Sequence, residues 1–483
     1  MKKKVHRKLY NGEIYMLVSA IVLVSCLAVY GGRFLYYHSL SSGTISTPET
    51  NLNKLLTSTE NLTMSGNGLE PYNDGYLFVG FPTNNYVEYS GILWRVVAID
   101  QEGRITMIAQ NDFTILPYNA NEDNTYKTSL IHRYLNPIEG DDSSGTFYKL
   151  LNSPETYLEK GPYCTDTLAA YSEVLSCGTP ESSEYVSLIN INQYILAGGA
   201  ESYLNTGNYY WSLTGITGSA NTFYVFPKGG IGSDSHGVAD ADSYGVRPVI
   251  TLKANLKIVS GSGIADNPYS IDDETFSSKD TNYLNKAKLT KYVNYGGHTW
   301  QVIGNDENGS TKLIMTDVIR DADNKLVTMV YGNVSYSATE TTVGSYLNND
   351  FLNTLDKPEY LIEGNFYNGG YNYGSGYAIE SVRATSDVAK IGIPSFYDPL
   401  TTNFINPGEG NGDDVAYWTS NYRAQSMIWV VRGTDWIMAD FYSGSYAVRP
   451  VIYLKDTIII SGGIGTESNP YTVMDITESE AGA

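Results

Sequence analysis

The sequence predicts an α+β fold in two tandem copies, with short antiparallel strands, few helices and long loops, after one N-terminal transmembrane helix. Three observations lead to this prediction: a long segment that occurs twice, apolar runs that alternate with a period of two, and an uncharged stretch behind a basic N-terminus. The segment YGVRPVITLKANLKIVSGSGIADNPY at 244–269 corresponds to YAVRPVIYLKDTIIISGGIGTESNPY at 446–471. Its offset of 202 residues exceeds the roughly 20–50-residue period of solenoid repeats, which indicates two whole domains.

The correspondence continues upstream in the same order. The matching pairs are LWRVVAID at 93–100 with TWQVIGND at 299–306, YLN at 134–136 with 346–348, and YW at 210–211 with 417–418. Their offsets drift between 206 and 212 residues, because loops gain and lose residues while the elements keep their order. We therefore predict one domain at 68–275, a second at 283–475 and a short tail at 476–483.

The N-terminus has the pattern of a membrane anchor. Five basic residues lie in the predicted cytoplasmic tail 1–13, and the uncharged stretch Ile14–Gly32 would span about 28 Å as a helix, close to the thickness of a bilayer core. Arginine and aromatic residues extend the predicted anchor to 14–37. The positive-inside rule then places the N-terminus in the cytoplasm. We expect a single-pass protein of the cell membrane with extracellular domains.

Cys26 leaves a second interpretation of this segment open. The sequence LVSC at 23–26 resembles a bacterial lipobox, which would make Cys26 a lipidated N-terminus. The residues after it remain apolar, which favours an uncleaved anchor. Under both interpretations the domains lie outside the membrane. Residues 38–67 are rich in Ser, Thr, Asn and Gly, and this composition predicts a flexible stalk.

The exported part of the chain is strongly acidic. Without its first 38 residues the chain carries 25 basic and 51 acidic residues, a formal net charge of −26. Nucleic acids and other polyanions would be repelled by such a surface, so nucleic acid is not expected as a partner.

Two cysteines in the first domain predict a disulfide. Besides Cys26 the chain has only Cys164 and Cys177, and the second domain has none. Outside the cell the two can pair, and closing this loop would stabilise the fold by about 3 kcal/mol. A CxxC motif for metal or redox chemistry is absent from the sequence.

The predicted elements follow one another in the same order in both copies. The segments 93–100 and 299–306 each precede an Asp/Gly turn and a second apolar run, which predicts hairpins. Apolar spacing of three and four predicts helices at 129–136 and 341–355. Short strands follow at the YW and VRPVI motifs. The tryptophans of these motifs are predicted to be structural: Trp94, Trp211, Trp300 and Trp418.

A proline lies inside the last apolar run of each copy. Proline within a sheet is confined to edges, strand starts or bulges, so we expect the final strand to begin or bulge at Pro248 and at Pro450. Arg247 and Arg449 then lie at the mouth of that strand. Because the dipeptide occurs in both copies while the loops differ, we expect these arginines to bond loop carbonyls or a carboxylate rather than a ligand.

The order of these motifs resembles a known family. A W-[RQ]-V hairpin with D-x-x-G, a Y-L-N helix, Y-W-[ST] and V-R-P-V-I is similar to a bacterial family of surface domains of unknown function. That family looks related to the C-type-lectin-like fold of the sulfatase-modifying, formylglycine-generating enzymes. The resemblance covers both domains and implies two tandem C-type-lectin-like domains. Fold similarity does not transfer an activity.

Catalysis is not expected. The formylglycine-generating relatives depend on cysteines near the end of the domain, whereas Cys164 and Cys177 lie in its middle. Nucleophile elbows, HExxH motifs and Walker loops are missing from the sequence. His132, on the predicted helix, is interpreted as a surface or capping residue. With 52 acidic residues, a glycan-processing hydrolase with paired carboxylates remains a lower-ranked alternative.

Two oxygen-rich loops are candidate calcium sites. Loop 231–243 contains Asp234, Asp240 and Asp242, and loop 407–414 contains Glu409, Asp413 and Asp414. Carboxylates among glycines suit a hard cation. Neither loop has the EF-hand spacing or the EPN/QPD-type tripeptide of calcium-dependent lectins, so solvated acidic loops are the competing interpretation.

Aromatic residues predict a binding function. The chain has 42 tyrosines and six tryptophans, and such rings give flat amphipathic contact area for sugars or proteins. The candidate ligand-binding residues lie in and after loop 365–377: Tyr367, Tyr371, Tyr373, Tyr377 and Tyr422. We expect an anchored extracellular binding or adhesion protein that recognises a glycan or another surface protein. The alternative is a structural envelope protein that acts as a spacer.

Overall fold

The structure is strand-rich, with 41% strand and 15% helix. It is a computed structural model that describes residues 51–58, 62, 66–119, 123–141, 144–173, 177–178, 180–232, 244–271, 283–287, 289–306, 308–370, 385–395, 398, 415–424, 426–432 and 436–477. The described residues belong to one compact unit that starts at Asn51. The predicted α+β class with few helices is therefore correct. No helix within these ranges is long and apolar enough to cross a membrane, and the predicted anchor 14–37 and Cys26 lie outside them.

Repeat 1, the described residues from 51 to 271, contains fifteen strands and four short α-helices. The strands are β1 (Gly68–Tyr72), β2 (Gly75–Val79), β3 (Tyr86–Tyr89), β4 (Ile92–Ile99), β5 (Ile105–Ala109), β6 (Thr114–Leu116), β7 (Leu158–Glu159), β8 (Val186–Ser187), β9 (Tyr210–Gly215), β10 (Thr222–Val225), β11 (Ile231–Gly232), β12 (Tyr244–Val246), β13 (Val249–Leu252), β14 (Ile258–Ser260) and β15 (Tyr269–Ile271). The helices are α1 (Leu52–Leu56), α2 (Leu130–Leu135), α3 (Pro154–Tyr157) and α4 (Ile191–Leu196), with 3-10 turns at Tyr126–Thr128, Tyr148–Leu150 and Gly199–Glu201.

Repeat 2, the described residues from 283 to 477, contains a second set of fifteen strands. These are β16 (Tyr292–Tyr295), β17 (His298–Asn305), β18 (Thr311–Met315), β19 (Thr328–Val330), β20 (Leu361–Ile362), β21 (Gly364–Tyr367), β22 (Ser386–Ala389), β23 (Ile391–Gly392), β24 (Ala416–Ala424), β25 (Met427–Arg432), β26 (Trp436–Phe441), β27 (Ser445–Ala447), β28 (Val451–Leu454), β29 (Ile458–Gly462) and β30 (Tyr471–Asp475). Helix α5 (Thr342–Ser345) continues as a π-helix over Tyr346–Phe351 and a 3-10 turn over Leu352–Thr354, with further 3-10 turns at Leu284–Lys286 and Pro358–Tyr360.

The two repeats share one sheet topology. The large sheet runs β14-β15-β3-β4-β5-β13-β7 in repeat 1 and β29-β30-β16-β17-β18-β28-β20 in repeat 2. The small sheet runs β11-β10-β9-β12-β6 and β26-β25-β24-β27-β19. Neighbouring strands are antiparallel, with two exceptions in each repeat. The parallel pairs are β3–β15 and β9–β12 in repeat 1, and β16–β30 and β24–β27 in repeat 2. The duplicated sequence therefore folds with the same strand order twice.

The Arg-Pro dipeptide marks the point where the chain leaves one sheet for the other. β12 ends at Val246 in the small sheet, and β13 begins at Val249 in the large sheet. The apolar run is therefore two strands joined by Arg247 and Pro248, and the second of them begins next to the proline, where a strand start or a bulge was expected. Pro248 has no N–H to leave unpaired at the crossing, and its carbonyl accepts a hydrogen bond from the Ala109 N–H at 2.9 Å.

The arginine at this crossing is buried in both repeats. Arg247 donates from Nε to the Ala109 carbonyl and from Nη1 to the Leu204 carbonyl, both at 2.7 Å. Its guanidinium lies 5.3 Å from the ring centre of Tyr210. Arg449 repeats this arrangement, with Nε bonded to the Met315 carbonyl at 2.9 Å and its guanidinium 5.4 Å from the Tyr417 ring. These arginines hold main-chain carbonyls where the two sheets meet.

The tryptophans of the repeated motifs are core residues with matched hydrogen bonds. All four are buried. The indole N–H groups bond equivalent carbonyls in the two repeats: Trp94 to Tyr89 at 3.1 Å, Trp300 to Tyr295 at 2.9 Å, Trp211 to Leu116 at 2.7 Å and Trp418 to Met329 at 2.9 Å. The repeated sequence motifs thus specify the framework.

The hairpin at the end of each copy contains a glycine that the backbone conformation requires. Gly261 and Gly463 have φ values of +98° and +78°. A Cβ at either position would lie 1.9 Å from the carbonyl oxygen of Pro268 or Pro470. Only glycine fits the left-handed backbone and this close approach.

The predicted flexible stalk 38–67 is wrong for residues 51–58, which the structure places in the compact unit. Helix α1 lies inside it, and Leu52 and Leu56 on one face of that helix are fully buried in repeat 1. The Leu52 N–H also bonds the Leu256 carbonyl at 2.8 Å. Three leucines within five residues supply enough apolar surface to dock, although the surrounding composition is polar. The compact unit therefore starts at Asn51 and not at residue 68.

Candidate functional site

Repeat 1 carries three segments that have no counterpart in the described part of repeat 2. They are the β1–β2 hairpin, the loop closed by Cys164 and Cys177, and helix α4. β1 and β2 pair over five residues, and β2 continues onto β4 of the large sheet. The three segments lie around one open cavity of about 650 Å³. We call this cavity the groove; its walls include residues from all three segments.

The disulfide forms one wall of the groove. Cys164 and Cys177 are bonded, with their Cα atoms 5.5 Å apart, so the predicted disulfide is confirmed. The loop between them is also held by the main chain, because the Leu168 N–H bonds the Gly215 carbonyl at 3.1 Å and the Thr217 N–H bonds the Leu168 carbonyl at 3.0 Å. This loop carries Tyr171 and Glu173 into the groove wall.

Helix α4 forms another wall of the groove. A capping box starts it: the Asn190 side chain accepts from the Gln193 N–H at 2.8 Å, and the Gln193 side chain accepts from the Asn190 N–H. Ile191 and Tyr194 face the core and are buried, whereas Ile195 and Leu196 are exposed and line the groove. Because an amphipathic helix normally exposes polar residues on this side, the exposed Ile195 and Leu196 indicate a contact surface.

Two tyrosine rings are exposed in the groove. Tyr72 from β1 has 41% of its surface exposed, and Tyr171 from the disulfide loop has 47% exposed. The edge of Tyr171 packs on Phe223, with ring centres 6.4 Å apart. Its position is therefore fixed by the core while its other face remains accessible.

Polar atoms beside these rings can bond a ligand. Glu173 accepts from the Ala169 N–H through Oε2 at 3.1 Å, and its main-chain carbonyl accepts from Asn192 at 3.0 Å. Within the described part of the chain, the Glu173 Oε1, the Gln193 amide NH2 and the hydroxyls of Tyr72 and Tyr171 have no protein partner. The groove thus combines apolar ring faces with donors and acceptors that no described residue satisfies.

The predicted tyrosine site in repeat 2 is described only in part. Tyr367 ends β21, and its carbonyl accepts from the Ser420 hydroxyl at 2.6 Å, which ties this strand to β24. Tyr422 lies in β24, where its ring packs on Gly370 so closely that a Cβ there would be 2.3 Å from a ring carbon. The two segments are therefore neighbours. Tyr371, Tyr373 and Tyr377 lie outside the described residues.

The candidate calcium residues also lie outside the described residues: Asp234, Asp240, Asp242, Glu409, Asp413 and Asp414. Within the described ranges, no group of three or more His, Cys, Asp and Glu side chains is placed to hold a metal ion. The calcium hypothesis thus remains a prediction from the sequence.

His132 is not a surface residue. It is buried on α2, with Nε2 3.2 Å from a Glu184 carboxylate oxygen and its ring edge on Tyr126 at 5.1 Å between centres. The hydrogen bond from His132 lowers the pKa of Glu184, against the effect of burial. Five of the six residues of α2 are buried, so the helix is covered on nearly every side. The apolar spacing of three and four in the sequence had indicated a helix with only one buried face.

Repeat 2 contains a buried ion pair that the sequence analysis missed. Lys312 of β18 pairs with Asp398, and its Nζ lies 5.3 Å from the centre of the Tyr453 ring. Burial alone would lower the pKa of Lys312. The negative charge of Asp398 outweighs this effect, and the pKa of Lys312 is raised. Lys312 also faces Tyr453 across β18 and β28, and the corresponding cross-strand pair of repeat 1 is Thr106 and Thr251. The ion pair fastens Asp398 to the large sheet in repeat 2.

Acid should loosen the region next to the disulfide loop. The Lys127–Glu181 ion pair has an N–O distance of 2.8 Å. Burial raises the pKa of Glu181, but hydrogen bonds from Lys127 and Ser183 outweigh it and lower that pKa from 4.5 to about 2. The folded pKa lies below the unfolded one, so this stabilisation is present above pH 4.5 and disappears as the pH falls towards 2.

We therefore expect Glu181→Gln to flatten the dependence of the thermal midpoint on pH between 4.5 and 2. Melting curves across this range measure it, with Glu139→Gln, an exposed carboxylate, as the control. Parallel pH profiles for wild type and Glu181→Gln would contradict the assignment.

Comparison of the chain with protein-family models, curated proteins and solved structures gives no match. The function is therefore argued from the groove itself.

Proposed function

We propose that this chain is a membrane-anchored extracellular binding protein whose groove in repeat 1 recognises a saccharide. The observation that supports this most strongly is the open cavity of about 650 Å³, in which two exposed tyrosine rings lie beside polar atoms that have no partner among the described residues. Ligand sites in proteins have volumes of roughly 300–1,000 Å³ and few, well-placed polar groups.

The chemistry of the groove suits a sugar. A pyranose ring has apolar faces of C–H groups and a rim of hydroxyls. Tyr72 and Tyr171 offer exposed ring faces that can stack on the C–H faces of the sugar. Gln193 offers a donor and Glu173 an acceptor for its hydroxyls. Ile195 and Leu196 of helix α4 add apolar surface to the groove.

Binding is proposed rather than hydrolysis. Most glycoside hydrolases use two carboxyl groups that flank the scissile bond. The described residues that line the groove include one carboxylate, Glu173. The hydrolase alternative would need a second acid at the same place.

The finer architecture belongs to the same proposal. Two sheets per repeat, a buried tryptophan in each hairpin and an arginine at each sheet crossing support two tandem C-type-lectin-like domains. The apolar stretch at 14–37 behind a basic tail supports a single-pass anchor with the N-terminus in the cytoplasm. The net charge of −26 for the rest of the chain supports an extracellular position without nucleic-acid partners.

A glycan array probed with the full-length chain in detergent tests the proposal. Tyr171→Ala is expected to weaken the affinity for a retained glycan about tenfold, because a lost stacking face of this size costs about 1.4 kcal/mol. Tyr442→Ala, which removes an exposed tyrosine of repeat 2 that is 37% accessible, is the matched control and should leave the affinity unchanged.

Other results would change the conclusion. Equal affinities of the two variants would move the binding site away from the groove. An array without retained glycans would favour the spacer alternative, retention of a peptide or protein ligand alone would favour a protein partner, and release of sugar would favour the hydrolase.

A further inference from the structure

We infer that the groove selects saccharides with free amino groups over their N-acetylated and acidic counterparts. The inference rests on the proposed saccharide function and adds the charge of the ligand to it.

The first reason is the charge of the groove. Among the described residues that line it, Glu173 is the only charged one, and none is a lysine or arginine. The chain beyond residue 38 has a formal net charge of −26. An acidic saccharide would meet a carboxylate without a compensating cation, whereas a protonated amine would meet its counter-ion.

The second reason is that the carboxylate is positioned by the protein. Oε2 of Glu173 is held by the Ala169 N–H at 3.1 Å, and the Asn192 side chain holds the main-chain carbonyl of the same residue at 3.0 Å. Oε1 has no partner within the described residues. One oxygen is thus fixed by the loop while the other is available to an ammonium group.

The third reason is the pair of tyrosines. An ammonium group is attracted to the face of an aromatic ring, and Tyr72 and Tyr171 are both exposed in the same groove as Glu173. N-acetylation removes the charge of the amine and with it both attractions. Together, an exposed ion pair and one cation–π contact predict a preference of about fivefold.

Calorimetric titration of the full-length chain tests this selectivity, with the glucosamine tetramer, the N-acetylglucosamine tetramer and a galacturonic acid tetramer as probes. We expect the glucosamine tetramer to bind about fivefold more tightly than its acetylated form, and this preference to shrink as salt screens the charges. Glu173→Gln should reduce the preference to about twofold or less, since the side-chain oxygen that accepts from Ala169 is kept but the charge is lost. The affinity for the acetylated tetramer should change less than the affinity for the glucosamine tetramer.

Glu201→Gln is the matched control, because Glu201 is exposed but does not line the groove. It should keep the full preference. The inference is overturned by a preference for the acetylated or acidic tetramer, by equal binding, by binding only to unrelated sugars, or by a preference that stays near fivefold in Glu173→Gln; the saccharide function then still stands. Failure of the chain to bind any sugar overturns both.

Discussion

Arg247→Ala is expected to lower the free energy of unfolding of the compact unit by about 4 kcal/mol. The substitution removes the Arg247 donors from the buried carbonyls of Ala109 and Leu204, of which Leu204 keeps the hydroxyl of Tyr210 as a donor. Losing a buried hydrogen bond costs about 1–3 kcal/mol, and the cavity that opens beside the ring of Tyr210 adds to this loss. Urea unfolding followed by tryptophan fluorescence measures the loss.

The second repeat supplies a replicate of this experiment. Arg449→Ala should cost about as much, since Arg449 bonds the Met315 carbonyl in the same way. Arg104→Ala, which removes a partly exposed ion pair with Asp100, is the control and should cost less than about 1 kcal/mol. Midpoints of the Arg247 and Arg104 variants that coincide would show that the sheet crossing does not depend on its arginine.

The Cys164→Ser/Cys177→Ser double variant is expected to lose saccharide binding by more than tenfold. The disulfide closes the loop that carries Tyr171 and Glu173, and releasing it returns about 3 kcal/mol of loop entropy to the chain. The two groove residues would then have to be ordered by the ligand itself.

A control separates loss of the groove from loss of the fold. The loop lies outside the strands of both sheets, so the near-ultraviolet circular dichroism of the buried tryptophans should persist in the double variant. An unchanged affinity, with the cysteines absent, would show that the groove does not need the disulfide.

Local patterns predicted the framework well. The hairpins at 93–108 and 299–315 and the helix at 129–136 were correct because each is long enough for its periodicity to be read from neighbouring residues. The sheet crossing at Arg247 was not predicted, because the apolar run continues on both sides while the chain changes sheets. Helix α1 was missed for a related reason, since its buried leucines lie among polar residues.

The groove could be predicted only in part. The disulfide followed from the cysteine count and compartment, but Tyr72, Tyr171 and Leu196 come from segments far apart in the chain. Nothing local distinguishes an exposed leucine at the end of α4 from a buried one. The comparison of the two copies did point to the disulfide loop as a difference, and the structure adds the β1–β2 hairpin and α4 to it.

The last strand of each repeat pairs in parallel with a strand near the start of the repeat, and this pairing has a consequence for synthesis. Tyr269 in β15 aligns with Val87 in β3, and Tyr471 in β30 aligns with Val293 in β16. A module closed in this way cannot complete its large sheet until its final residues have left the ribosome, because contacts between distant residues form late. The same closure places both ends of a module side by side, so that a second copy can follow the first in the gene without disturbing it.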